Sequence, residues 1–388
     1  MIKAILNANI VLENGILWDG AILIEDGIIV DVKSVREFQI PDGAEIIDAK
    51  GAYVGPGFVD IHVHGADGKT TYSDVQDVVA VADFFLKHGT TSMLSTPPYE
   101  LAFDEFVEAI RVGRAAKKKA KTIKGLYLEG PYINVKYGAF AHMNPWRGSI
   151  DPEQFKVLVD EAGEDALVWT IAPEREGILS FAEYAKAVKP DVVLSVGHSE
   201  ATPQQIRALG KFRPTLQTHS MCATGRLDVP GGTRGYGPDE YCFKEPDVYC
   251  EMISDSCGIH VNAEMQQLLI HNKGINRVVL ITDSSGDKSY PNPEGLEHVT
   301  DLGFDDRGGI AGSKLTMDKV CRNIMTHTNC GIAQAFVMAS LNPAKVIGMG
   351  DEIGSIEKGK IADLVFVDDK FNVLNVMVGG ERIGCENE

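Results

Sequence analysis

The chain has 388 residues, 44% of them hydrophobic, which is enough for one large core and a smaller satellite because single cores seldom grow past ~250–300 residues. Lys and Arg number 37 against 55 Asp and Glu, leaving a net charge of −18 that repels nucleic acid and anionic membrane surfaces, so neither is an expected partner. An anionic small substrate needs a local basic pocket set against that field.

The start, Met1-Ile2-Lys3-Ala4-Ile5-Leu6-Asn7, lacks the apolar run and small-residue cleavage site of a signal peptide, and no later stretch approaches a membrane-spanning length. A cytoplasmic location is therefore expected. The seven cysteines are odd in number and form no C-x-x-C pair, which argues against structural disulfides and a zinc knuckle and for buried, reduced thiols.

Residues 1–54 read as short strands joined by turn signals. Asp19-Gly20 stands between Leu17-Trp18 and Ala21-Ile22-Leu23-Ile24, and Asp26-Gly27 precedes Ile28-Ile29-Val30; each Asp-Gly predicts a hairpin turn. From residue 55 to 343 the texture changes to short apolar runs alternating with amphipathic segments. The predicted strands are Phe58–Val63, Thr91–Thr96, Gly125–Glu129, Leu167–Ala172, Val192–Gly197, Thr215–Thr218, Tyr249–Ser254 and Arg277–Thr282. Thr202-Pro203 supplies an N-cap and a first-turn proline where a helix should start after the fifth run. Residues 344–388 return to strand texture, with Ala362-Asp363-Leu364-Val365-Phe366-Val367 and then Val373 to Val378. Neither chain end has enough strands to bury a sheet face alone, so the two are expected to pair. The fold class is α/β: a (β/α)8 TIM-like barrel with a small β-sandwich domain formed by both chain ends.

In such a barrel the chemistry sits at the C-terminal ends of the strands. The first run reads Phe58-Val59-Asp60-Ile61-His62-Val63-His64, and its period of two puts Asp60, His62 and His64 on one face. Gly65 then lets the chain leave the rim. The third run ends in Glu129 before Gly130-Pro131, and an acid closing a buried strand needs a partner charge. The fifth ends in His198, the sixth in His219 and the eighth in Asp283. Each could singly be an ordinary core or rim residue. Together they make a nitrogen and carboxylate donor set suited to a divalent metal such as Zn²⁺, Fe²⁺ or Mn²⁺. His88, His271, His298 and His327 fall away from strand ends and are left out of it.

These motifs give the chain a family likeness. Gly55-Pro56-Gly57 through His64-Gly65, Leu128-Glu129-Gly130-Pro131, Gly197-His198-Ser199, Thr218-His219, Thr282-Asp283 and Ala311-Gly312-Ser313 through Asn342-Pro343-Ala344 resemble the amidohydrolase superfamily. Within it they are similar to the N-acetylglucosamine-6-phosphate deacetylases, over nearly the whole length. That resemblance implies Glu129, His198 and His219 as the main metal ligands and Asp283 as ligand and catalytic acid/base. It implies His62 and His64 as the pair that binds a second ion in some members, so a binuclear zinc or iron site bridged by Glu129 is favoured over a single ion. It implies an N-acetylated amino sugar as substrate, glucosamine or galactosamine 6-phosphate, and a homodimer. It implies His142 as a donor to the carbonyl oxygen and substrate contacts from Cys222, Ala223, Ala311 and Gly312. His260, Arg226 and Arg234 are candidates for an anionic group on the substrate.

Departures cluster away from the metal residues. The family's aromatic-Asn-Ala-Met run after the sixth-strand histidine is Ser220-Met221-Cys222-Ala223 here, its Gly-Ala-His-Asn-Pro is stretched into Gly138 through Pro145, and its Asp-Gly-x-His-Val into Asp255 through Val261. The metal chemistry is retained while sugar recognition is altered. An unphosphorylated or sulfated N-acetyl sugar, or an N-acyl amino acid, is the alternative substrate class. A cyclic-amide hydrolase is disfavoured because the fourth run ends Ile171-Ala172-Pro173-Glu174, with no lysine to be carbamylated. A non-catalytic sugar-binding barrel predicts loss of one of the strand-end residues, and none is lost.

Overall fold

The computed structural model describes residues 1–226, 231, 235–286 and 290–383. Eight parallel strands follow one another in chain order: Phe58–Val63, Thr90–Ser95, Ile123–Leu128, Ala166–Ile171, Val193–Val196, Leu216–Gln217, Tyr249–Met252 and Val278–Leu280. They are called barrel strands one to eight below. The eight expected runs are all present, their ends shifted by one or two residues. The ring closes where the chain leaves strand eight: Asp283 N–H donates to the His62 carbonyl at 3.0 Å, and Ser284 O accepts from His64 and Gly65 at 2.8 and 2.9 Å. The closing seam thus lies at the expected chemical site.

Helices fill the outer layer, among them Val75–Lys87, Phe103–Lys117, Pro152–Ala162 and Met317–Thr328. Their starts follow local chemistry. Thr202 accepts from Gln205 N–H while Gln205 Oε1 accepts from Thr202 N–H, a reciprocal cap that opens the helix Pro203–Ala208. Inside the barrel the layer under the site is polar. Thr218 Oγ1 lies 2.9 Å from Tyr127 Oη, 2.8 Å from Thr170 Oγ1 and 2.6 Å from Ser195 Oγ, a buried hydroxyl network linking strands three to five with the end of strand six. The Tyr127 ring lies 4.3 Å from that of His62, so this network forms the floor beneath one imidazole.

Both chain ends enter one sheet, ordered Glu381–Ile383, Val373–Val378, Leu364–Val367, Tyr53–Pro56, Ile2–Leu12, Gly15–Glu25, Ile28–Ser34, with Glu45–Asp48 added beside Ile2–Leu12. Hydrogen bonds from residues 27–29 to residues 359–362 tie the far edge back toward the C-terminal strands, and the curled sheet encloses its own cluster, including Ile5, Ile22, Ile29, Leu364 and Met377. Of the two Asp-Gly signals, Asp26-Gly27 forms the expected turn. Asp19-Gly20 does not: it lies inside the strand Gly15–Glu25, where Asp19 at φ 49° accompanies a shift of register against Ile2–Leu12. The flanking strand partners decide between turn and bulge, and a dipeptide alone carries no information about them. Phe58, Phe336 and Phe371 pack with ring centroids 5.4–6.0 Å apart and join barrel to sheet. Burying such side chains contributes about 1.5–3 kcal/mol each.

Among the described residues no helix is long and apolar enough to cross a membrane. The six described cysteines are free, three of them buried (Cys242, Cys250, Cys321) and Cys257 exposed.

Candidate metal centre

The six strand-end side chains converge. Their donor atoms form two groups, His62 with His64 and Asp283, and Glu129 with His198 and His219, each within 4.8 Å internally. Glu129 joins them. Its Oε1 lies 2.7 Å from His198 Nε2 and 3.0 Å from His219 Nε2, while its Oε2 lies 3.2 Å from His64 Nε2. Asp283 Oδ1 is 3.2 Å from His64 Nε2 and 3.7 Å from His62 Nε2. Every one of the six is buried except His64, which is partly exposed.

The backbone is bent to achieve this. His198, His219 and Asp283 have φ of 46°, 26° and 48°, left-handed values that non-glycine residues seldom adopt. Each ends a strand and turns sharply there, so its side chain leans over the barrel mouth. Strain gathered at three of six converging residues points to a functional demand rather than to packing. Gly138 approaches from a loop at φ 104°, and a Cβ on it would sit 2.7 Å from His198 Nδ1.

The outer ring nitrogens settle which atoms face inward. His64 Nδ1 faces the Thr96 carbonyl at 3.1 Å, His198 Nδ1 that of Tyr137 at 3.3 Å, and His219 Nδ1 that of Cys222 at 3.2 Å. His62 Nδ1 faces Glu251 Oε2 at 3.3 Å. All four partners are acceptors, so Nδ1 carries the proton and each Nε2 presents a lone pair to the centre. His198 Nε2 and His219 Nε2 then stand 2.9 Å apart, and buried His62 Nε2 has no hydrogen-bond donor. Facing lone pairs among carboxylate oxygens repel unless a cation or extra protons lie between them. The residues fit a divalent ion on that ground.

The proton affinities say the same. Burial pulls His62 and His64 down, but Glu129 and Asp283 (with Glu251 for His62) outweigh it, raising His62 well above the usual imidazole range and His64 to about 10. Burial opposes ionisation of Glu129 and Asp283, yet the neighbouring imidazoles hold both below the ordinary carboxylate value. Burial keeps His198 low. Asp60, one step behind His62 on the same face, is pushed up to about 7 by burial although the Thr282 hydroxyl, at 2.6 Å, and backbone N–H groups pull it back.

A model of the amidohydrolase family matches residues 53–383. The chain belongs to the amidohydrolase family. An N-acetylglucosamine-6-phosphate deacetylase from Haemophilus influenzae is 30% identical over 398 residues, covering 97% of this chain and 98% of its own. An N-acetylgalactosamine-6-phosphate deacetylase from Escherichia coli O157:H7 is 28% identical over 379 residues, covering 95% and 96%. The crystal structure of N-acetylglucosamine-6-phosphate deacetylase from Pasteurella multocida superposes with a TM-score of 0.86 at 26% identity, over 99% of this chain and 100% of that one.

In this amidohydrolase five of the six converging side chains, all but His62, line the floor of a cavity of about 510 Å³. Cys222, Ala223, His260, Ala311 and Gly312, all expected near substrate, line it. His260 arrives there because the Asp255 carboxylate accepts from the N–H groups of Cys257, Ile259 and His260, so the extra residues wrap around that acid. Its Nδ1 lies 3.4 Å from Cys222 Sγ, and its buried Nε2 has no hydrogen-bond partner among the described residues. Burial lowers His260 and pushes the Cys222 thiol up to about 12, so both are neutral near pH 7.

Two residues expected near substrate do not line this cavity. His142 does not line the cavity; its Nε2 faces Asp306 at 3.3 Å. Phe140 takes that place, because its N–H donates to Asp305 at 3.2 Å with φ 50° and turns the stretched loop so that His142 points away. Arg226 is exposed and also off the cavity wall. Arg234 lies outside the described residues.

Two further residues escaped the sequence reading. Glu251, in the middle of strand seven, is fully buried and holds His62. Lys314 lines the cavity one residue beyond the Ala311-Gly312-Ser313 motif and is the one Lys or Arg among its described lining residues. An acid inside an apolar run was the available signal for the first, and a cation next to a recognised motif for the second.

Proposed function

We propose that the protein is a metal-dependent deacetylase that hydrolyses the acetamide of an N-acetylated amino sugar, N-acetylglucosamine 6-phosphate or its galactosamine epimer, to acetate and the free amine. The observation that carries this reading is the set of inward-facing Nε2 lone pairs around Glu129, with Asp283 beside them on the floor of a cavity. The deacetylase names of the full-length relatives supply the substrate class.

Glu129, His198 and His219 would hold one divalent ion, zinc or iron, and His62, His64 and Asp283 a second. Such an ion supplies Lewis acidity, acidifying water and polarising a carbonyl. Asp283, kept ionised by His64 and His62, takes the proton of the attacking water as its oxygen bonds to the carbonyl carbon. As the C–N bond breaks, Asp283 returns that proton to the amine nitrogen. Neutral His260, with a free buried Nε2, orients a substrate hydroxyl or amide. Lys314 binds the phosphate.

A second reading, an unphosphorylated or sulfated N-acetyl sugar or an N-acyl amino acid, is favoured by the apolar part of the wall. Tyr99, Phe140, Met143, Tyr290, Phe304 and Ile310 lie there with a single described lysine. Acetate release from N-acetylglucosamine, N-acetylgalactosamine and their 6-phosphates tests both readings. The expected result is a preference for a 6-phosphate that shrinks ~10-fold or more in Lys314→Met, through KM, since a hydrogen bond to a charged group contributes about 1.5–3 kcal/mol. No acetate from any of the four would overturn the proposal.

A further inference from the structure

Glu251 is a fully buried carboxylate that occupies a chemically unusual position between the two halves of the site. Its Oε2 lies 3.3 Å from His62 Nδ1 and accepts the His219 backbone N–H at 3.0 Å; its Oε1 is buried with no hydrogen-bond donor among the described residues. His62 is its sole ion-pair partner among the described residues. His62 belongs to the group with His64 and Asp283, and His219 to the group with Glu129 and His198. One carboxylate therefore orients a ring in one group and fixes the backbone of a ring in the other.

This placement has a consequence for the ring. An acceptor against Nδ1 keeps a proton there and turns Nε2 toward Glu129 and Asp283, at 3.5 and 3.7 Å, so the carboxylate behind His62 orients the ring toward the position it shares with His64 and Asp283. Asp60 does not play the same part, because the Thr282 hydroxyl and backbone N–H groups of His62 and Thr282 already hold it.

We infer that Glu251 is a positioning residue for the second metal ion: through His62 it sets the occupancy of the His62, His64 and Asp283 position. It holds a proton on His62 Nδ1 and so presents Nε2, with raised basicity, to an ion shared with His64 and Asp283. This rests on the metal-dependent reading of the site but not on the identity of the substrate.

The test is metal stoichiometry. Full-length protein is stripped with a chelator, titrated with Zn²⁺ and counted by elemental analysis, for wild type, Glu251→Gln and Glu251→Asp. Wild type is expected to bind two equivalents. Glu251→Gln keeps the shape and loses the charge, and its second equivalent is expected to bind ~10–100-fold more weakly, the usual cost of losing a ligand's outer partner, with the first unchanged. Glu251→Asp keeps the charge and retains both. A wild type that holds a single tight equivalent overturns the inference, as does Glu251→Gln binding two with unaltered affinities. If a melting curve shows Glu251→Gln to be unfolded, the wild-type count and Glu251→Asp still decide. Acetate release is measured in parallel: release by a wild type holding one ion refutes the role of Glu251 and leaves the deacetylase reading standing, whereas two ions without acetate do the reverse.

Discussion

Filling the metal centre should expel protons in a number that the geometry sets. The carboxylates of Glu129, Asp283 and Glu251 face these imidazoles, which is why His62 is raised well above its usual range and His64 to about 10 despite burial. At pH 8 a group with a pKa of about 10 is protonated in about 99 of 100 molecules. Glu129 and Asp283 are already ionised and contribute nothing. Loading the His62, His64 and Asp283 position at pH 8 is therefore expected to release the His64 proton, with His62, raised in the same direction, adding to it. The sign follows from the raised values. Protonated His64 stabilises the ion-free protein fully below the unfolded imidazole value near 6.5, and that contribution disappears as pH rises through about 10. Metal affinity should accordingly climb with pH, by up to about tenfold per unit for the His64 proton displaced, a gain that levels off above about 10. Calorimetric titration of chelated protein with Zn²⁺ in two buffers of different ionisation enthalpy reads the proton number directly. Equal heats in the two buffers at pH 8 would refute the claim that these rings face the carboxylates as described.

Two further outcomes follow from the same site. Asp283→Asn removes the proton carrier, so acetate release is expected to fall ~10²–10⁴-fold even after reloading to the wild-type metal content; near-normal turnover at full loading would take Asp283 out of its role. Gly138→Ala places a Cβ 2.7 Å from His198 Nδ1 and 2.2 Å from Tyr99 Oη at a backbone φ of 104°. It should lower the stability seen in urea titration by about 1–3 kcal/mol and slow turnover with it, and an unchanged midpoint and rate would show that the loop is not held against the ring.

What could be read from the chain is the part governed by short-range rules. Period-two alternation put Asp60, His62 and His64 on one face, and Glu129, His198, His219 and Asp283 stood out because each ends a predicted barrel strand. The parallel ring then brings all strand ends to one mouth, so six positions spread over more than two hundred residues meet without any pairwise signal. Loops obey no such periodicity. The stretched segment from Gly138 to Pro145 contains both Phe140 and His142, and which of them enters the cavity is set by a hydrogen bond from Phe140 to Asp305, a residue far along the chain. The left-handed backbone at His198, His219 and Asp283 has only a faint signature in residue type, since histidine and aspartate enter that region more often than most residues but adopt extended conformations far more often still.

Glu251 marks the boundary between these cases. The rule that exposed Glu129, that an acid in a buried strand needs a partner, applies equally to Tyr249-Cys250-Glu251-Met252. It went unread because Glu251 lies inside its strand rather than at the end. Yet position along a strand decides only how deep a side chain lies. Residues at the mouth can touch an ion and a substrate together, whereas one a step below can touch only the rings that hold the ion. A carboxylate at that lower level is able to tune the centre without meeting the substrate, and in Glu251 it contacts one residue from each half. A barrel-lining acid below the strand ends is thus part of the metal chemistry where, as with Glu251, its acceptor meets a ligand ring, and part of the core where, as with Asp60, a hydroxyl and backbone N–H groups hold it.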